Sequence, residues 1–231
     1  MLKILHLVMV KQVFIDIDDT LFPTAEFSEL ARRKAIRAMI EVGLDGGQEK
    51  LYKKLVRIIK KKGSNYDHHF DDLLEELGVK EPAKYVAAAV GAYHAAKGAI
   101  QPYPEVPRTL LKLREQGYML HVATNGTAVK QWDKLILLKV HLFFEKVFVS
   151  EKMGMEKNVE FFRKALRKLG ASPGECVMVG DKPEIDTIPP KKLGMKTIRA
   201  MMGGRHTKKP GKADLEMKNF AELPELLAKL D

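Results

Sequence analysis

The chain has 231 residues, 45% of them apolar, and a formal net charge of +10, which allows one large or two smaller cores. Apolar runs stay short of the roughly 20 residues a membrane helix needs, and a single cysteine, Cys176, excludes an intrachain disulfide and makes the cytoplasm the expected compartment. The basic excess raises nucleic-acid binding, but Lys and Arg are interleaved with Glu at helical spacing, so neither nucleic acid nor membrane is an expected partner.

The opening MLKILHLVMV lacks a small-residue cleavage site and runs straight into a strand, so it does not read as a signal peptide, and Met9 is the expected natural start. KQVFIDIDDTLFPT (Lys11 to Thr24) follows. Its apolar residues Val13, Phe14, Ile15 and Ile17 describe a buried strand, which ends among Asp16, Asp18 and Asp19. Three carboxylates that close repel one another unless something positive sits among them.

The pattern then turns helical. TAEFSELARRKAIRAMIEVG (Thr24 to Gly43) places Phe27, Leu30, Ala31, Ala35, Ala38 and Met39 on one stripe, with Gly43 as a stop. Helical segments are predicted at 48–62, 67–77 and 82–97, and KKLVRIIKKKG (Lys53 to Gly63) reads as the polar face of the first of these. No strand signal appears between 24 and 100. The stretch 97–107, with three prolines and a glycine, marks the exit from this block.

Beyond it helix and strand alternate: VPRTLLKLREQG (helix), YMLHVATNG (strand), Lys130 to Leu138 (helix), KVFVS (strand), Lys157 to Gly170 (helix), CVMVGD (strand), a short helix, MKTIR (strand), ADLEM (strand) and a helix from Ala221. Such alternation predicts an α/β fold, a three-layer parallel sheet in a Rossmann-like core. The helical block is then an insertion after the first strand. The expected boundaries are 1–22 with 101–231 for the core and 23–100 for the insertion. Leu21–Thr24 and Gly98–Pro104 are the hinge candidates about which the insertion would close.

Ligands of open parallel sheets bind beyond the carboxyl ends of the strands. Three strands here end in polar residues: Asp16 and Asp18, Thr124 and Asn125, and Asp181. If these converge, they form the hard-oxygen, incompletely coordinated set that suits Mg²⁺ and a substrate phosphate.

At this point the sequence resembles the haloacid dehalogenase-like (HAD) hydrolases, specifically the phosphatases with a helical cap inserted after the first motif. DIDDTL matches the DxDxT signature at Asp16, Asp18 and Thr20; ATNG supplies Thr124 and Asn125; GMEKNVEFF supplies Lys157; and VGDKPEID matches GDxxxxD at Asp181 and Asp186. The resemblance spans about the whole chain. It implies that Asp16 is a nucleophile forming an aspartyl-phosphate and that Asp18 is the acid and then the base, with a pKa raised by its neighbours. It implies Mg²⁺ held by Asp16, the Asp18 main-chain carbonyl and Asp181. Asp186 is either a further ligand or an acid that positions water or Lys157. Thr124, the Asn125 main chain and Lys157 would bind phosphoryl oxygens, with Thr20 binding substrate or supporting the turn.

FPTAEFSELARRKAI and VKQWDKL are similar to archaeal cap-bearing members, which implies a small phosphorylated metabolite, glyceraldehyde 3-phosphate first, with phosphoglycolate or nucleoside monophosphates as alternatives. A monomer or homodimer fits equally. A 2-haloacid dehalogenase is the rival on this fold, but those members lack the second aspartate that Asp18 provides. Receiver domains cluster similar residues but are shorter and lack the insertion.

Other residues read as structural. Asp19 is a helix-start carboxylate, Cys176 a buried thiol, Trp132 a packing residue, and His68 and His69 surface or capping groups. Lys152 is the alternative to Lys157. Two departures stand out: Asn158-Val159 follow Lys157 where the family has proline-rich sequence, and Pro189-Pro190 follow the last motif.

Overall fold

The computed structural model describes residues 10–64, 66–202 and 212–230, so the expected start at Met9 lies outside the described residues. Two compact units are present. One combines the described residues up to Ala25 with those from Gln101 onward, and the other spans Glu26–Ile100.

The second unit is helical. It is built from α1 (Thr24–Glu41), whose first two residues belong to the other unit, α2 (Gln48–Lys62), α3 (His69–Glu76) and α4 (Ala83–Lys97). Ala35, Ile36 and Met39 of α1 pack with Leu51, Leu55 and Ile58 of α2, Leu73 and Leu74 of α3 and Ala89 of α4. The buried stripe of α1 therefore turns toward Ile36, and Leu30, expected inside, is 51% exposed. Ala31, Ala35, Ile36 and Met39 are the residues that α1 buries, so Ile36 takes the place in the core that periodicity alone gave to Leu30. The lysines at 53, 60, 61 and 62 on α2 face solvent.

The first unit is a parallel sheet of six strands: β1 (Gln12–Ile15), β2 (Met119–Thr124), β3 (Lys146–Val149), β4 (Cys176–Gly180), β5 (Lys196–Ala200) and β6 (Leu215–Met217). Their order is β3-β2-β1-β4-β5-β6, and every neighbouring pair is parallel. The central strands are continuous apolar runs because both faces are covered. On one face Phe14, Ala123, Phe148, Cys176 and Met178 pack against Phe161, Phe162, Ala165 and Leu166 of α8 (Val159–Leu169). On the other, Val13, Ile15, Leu120 and Val122 are equally buried, where α5 (Val106–Glu115) lies on β2 and α10 (Leu223–Ala228) on α5. The expected three layers are formed. Among the described residues no helix is long and apolar enough to cross a membrane.

One helix start differs from expectation and a second is reshaped by its prolines as expected. The helix predicted from Lys157 begins at Val159, because Asn158 accepts a hydrogen bond from the Phe161 amide (3.0 Å) and so caps it. Lys157 is left just ahead of the helix. After β4, Pro183–Thr187 form one wide π-type turn, and Pro189 and Pro190 fall in the first turn of α9 (Ile188–Lys191), where a missing amide proton is tolerated.

β1 lies at the centre, with β2 on one side and β4 on the other, so the strand order reverses beside it. Parallel pairing puts the carboxyl ends of all three at one edge. A crevice at such an edge is where ligands bind in doubly wound sheets.

Candidate active site

Asp16 is the first residue beyond β1, and its amide donates to the Val179 carbonyl of β4 (2.9 Å). That bond extends the ladder by one step and aims a carboxylate, 3% exposed, off the sheet edge. Asp181 is the first residue beyond β4, and Thr124 is the last of β2. Carboxylate oxygens of Asp16, Asp181 and Asp186 lie within 4.8 Å of one another. At such separations a pair of unit charges repels by about 4 kcal/mol at the effective dielectric of a protein surface.

One cation already sits among them. The Lys157 ammonium donates to Asp16 Oδ1 (2.8 Å), Asp186 Oδ1 (2.6 Å) and the Ala123 carbonyl (3.2 Å). Burial works against this charge, but Asp16 and Asp186 outweigh it and raise the Lys157 pKa. Asp186 is completed by the Lys182 amide on Oδ2 (3.1 Å), and burial raises its pKa while Lys157 pulls it back. Even with the Lys182 ammonium 4.0 Å from Asp181 Oδ1, two cations against three acids leave the cluster negative. Asp181 shows the deficit. Its pKa is pushed up to about 7, by burial first and then by the Asp16, Asp186 and Asp19 carboxylates, against the pull of Lys182, and its Oδ1 is buried without a hydrogen bond among the described residues. Hard oxygens, an unsatisfied lone pair and excess negative charge fit a divalent cation.

Gly180 is the residue that lets the acids approach. A Cβ there would stand 2.5 Å from Asp186 Cγ and 2.6 Å from its Oδ2. Asp186 is pinned by Lys157 and the Lys182 amide, so it has nowhere to turn. Gly180→Ala is expected to lower the melting temperature, through an overpacking penalty of about 1–3 kcal/mol, and to reduce turnover. An unchanged melting curve would show that the acid is not held as described.

The second motif works as a connector. Asn125 Oδ1 accepts the Lys157 amide (2.8 Å), and the Asn125 carbonyl accepts from Gln131 Nε2 (2.9 Å). Gly126, at φ 127°, donates its amide to Ser150 Oγ (2.9 Å). Thr124 is buried beside Asn125, its hydroxyl 3.4 Å from the Asn125 carbonyl. Thr20 is fully buried, and its hydroxyl makes no hydrogen bond among the described residues.

Asp18 departs from expectation. Its carboxylate is not among the acids that come within reach of one metal ion. Instead Lys134 Nζ donates to both Asp18 oxygens (2.7 and 2.8 Å), and the Thr24 hydroxyl donates to Oδ1 (2.8 Å). Burial pushes the Asp18 pKa up, but Lys134, Thr24 and Lys182 outweigh it and hold the carboxyl below its usual value, where a raised one was expected. Lys134 was not among the sequence candidates. The available signal was its place on α6 (Ala128–Leu137), a lysine beside Ala128, Gln131 and Leu135, the residues that helix buries.

The remaining residues fall elsewhere. Asp19, at φ 56°, accepts the Ala25 amide at the start of α1 (2.9 Å). Lys152 is exposed on α7 (Ser150–Met153), whereas Lys157 is 2% exposed among the acids. Cys176 is buried, its thiol donating to the Ser172 carbonyl and its pKa pushed up to about 12, first by burial and then by Glu175. His68 lies 3.6 Å from Asp71 and His69 Nε2 lies 2.9 Å from the Gly63 carbonyl, both within the helical unit. Trp132, expected to pack, is 43% exposed.

Comparison with known proteins gives a consistent picture. Residues 13–200 match the family model described as haloacid dehalogenase-like hydrolase. A glyceraldehyde 3-phosphate phosphatase of Methanopyrus kandleri is 47% identical over 94% of this chain and 92% of its own length. One of the same name from Methanocaldococcus jannaschii is 43% identical over 84% and 86%. Among solved structures, a HAD phosphatase from Thermococcus onnurineus is 25% identical with a TM-score of 0.68, covering 94% of this chain and 98% of that one.

Proposed function

The chain belongs to the haloacid dehalogenase-like hydrolase family, and on that premise we propose that it is a Mg²⁺-dependent phosphomonoesterase acting on glyceraldehyde 3-phosphate. The observation that carries this reading is the buried Lys157 ammonium bridging Asp16 and Asp186 beside the unsatisfied Asp181 oxygen. Lys157 engages Asp16 Oδ1 alone, which leaves the second oxygen of Asp16 for attack on phosphorus.

Asp16 attacks in line and becomes an aspartyl-phosphate as the ester P–O bond breaks. Against burial, Lys134, Thr24 and Lys182 hold the Asp18 carboxyl low in the free protein. Once the negative phosphoryl group beside it offsets those cations, Asp18 protonates the departing alkoxide, and it then takes a proton from the water that hydrolyses the intermediate. Thr124, the Asn125 main chain and Lys157 hold the phosphoryl oxygens. Mg²⁺ would be held by Asp16, Asp181 and the Asp18 carbonyl, with Asp186 orienting Lys157; when bound it supplies charge neutralisation and a template for the phosphate. The triose substrate is supported by the names of the relatives at 47% and 43% identity.

A panel of glyceraldehyde 3-phosphate, phosphoglycolate, nucleoside monophosphates and p-nitrophenyl phosphate, assayed with Mg²⁺ and with EDTA, tests this. The triose phosphate is expected to show the highest kcat/KM, with turnover abolished by the chelator and restored by Mg²⁺. Full activity in EDTA would remove the metal from the reading. A better substrate elsewhere in the panel would remove the triose.

A further inference from the structure

The clamp on Asp18 lies outside the family signature residues. Lys134 reaches it from 116 residues away in sequence, straddles both oxygens, and shares Oδ1 with the Thr24 hydroxyl. The two side chains of this pair are 18% and 23% exposed. A surface ion pair has no need of this geometry. Two donors from one ammonium and a third from a hydroxyl fix the plane of the carboxylate as well as its position.

α6 gives the clamp its rigidity. The helix is anchored by buried Ala128, Gln131 and Leu135, and its first amide donates to Glu151 Oε2 (3.0 Å). Gln131, one turn before Lys134, holds the Asn125 carbonyl (2.9 Å). Residues three apart lie on the same helix face. One helix thus sets both the loop that would cradle the phosphoryl group and the carboxylate that would handle the proton.

We infer that Lys134 is a positioning residue for proton transfer: with Thr24 it holds the Asp18 carboxylate in the orientation from which Oδ2 serves the leaving group. This rests on the phosphatase reading above. As the Asp16–phosphorus bond forms and the ester P–O bond breaks, the alkoxide takes a proton from Asp18 Oδ2, which accepts from Lys134 but not from Thr24. In the second half Oδ2 takes a proton from water while the water oxygen bonds phosphorus and the Asp16–phosphorus bond breaks. Lys134 keeps its protons throughout, and its charge offsets the one Asp18 gains. Without it, the Thr24 hydroxyl is the one side-chain donor left to the carboxylate among the described residues, with Lys182 acting only through its charge.

The test compares two esters with Mg²⁺ present: the fastest alkyl phosphate of the panel, whose alkoxide needs a proton, and p-nitrophenyl phosphate, whose phenolate leaves without one. Lys134→Met is expected to lower kcat on the alkyl ester by about fiftyfold, in the range of a general acid displaced by a fraction of its reach, and on the aryl ester by no more than about threefold, with KM little changed. Lys134→Arg, which can also contact both oxygens, should recover most of the alkyl activity. If circular dichroism shows that the methionine variant does not fold, Lys134→Gln reads the same ratio. Equal losses on both esters, or no loss on the alkyl ester, would overturn the role of Lys134 and leave the phosphatase reading standing. A wild-type protein that cleaves neither ester would overturn both.

Discussion

Asp16→Asn is expected to fold normally and to turn over at less than about a thousandth of the wild-type rate, a loss of more than ~4 kcal/mol of barrier reduction. The amide keeps an oxygen for the Lys157 ammonium, which also retains Asp186 at 2.6 Å. It removes one of three crowded negative charges, so the cluster loses repulsion along with an ion pair, and the melting temperature should move little. What disappears is the nucleophile, since an amide oxygen is a poor one, and with it a strong metal ligand. Single-turnover kinetics with acid quench would follow the phosphorylated protein, expected in the wild type and absent in the variant. Retention of more than about 0.1% of kcat would rule out a covalent intermediate on this residue.

Lys157→Met is expected to damage stability as much as activity. Removing the ammonium takes from the buried Asp16 and Asp186 carboxylates, 3% and 1% exposed, the cation with which each is ion-paired. Breaking a buried pair from one side costs about 3–5 kcal/mol, because the remaining charge stays desolvated. In a chain of this size each kilocalorie lowers the melting temperature by roughly 2–4 °C. Mg²⁺ should return part of that loss, because a cation that binds only the folded cluster stabilises it by mass action. Calorimetry with and without Mg²⁺ checks both statements. Lys152→Met, an exposed change on α7, is the control and should leave both curves where they were. A Lys157→Met melting curve matching wild type in EDTA would mean that the acids do not depend on this ammonium.

Much of the molecule was legible in the order of its residues. Hydrophobic period separates strand from helix locally, so the four helices between Thr24 and Lys97 and the six strands of the sheet could be placed from spacing alone. The parallel sheet follows from alternation, and a parallel sheet puts every strand's carboxyl end at one edge. That geometry is why Asp16, Thr124 and Asp181, scattered over more than half the chain, could be expected together.

Tertiary structure decided what depends on side-chain direction. The stripe of α1 turned toward Ile36 and away from Leu30 because burial in the assembled helical unit outweighs periodicity taken alone. Asn158 capped α8 and left Lys157 ahead of it, free to reach three oxygens. Asp18 turned out to carry a lowered pKa because a lysine 116 residues away closes on both its oxygens. No local pattern contains that distance. A motif states which residues the chemistry requires, whereas the charge each one meets is set by whatever the fold brings beside it, and here α6 brought Lys134.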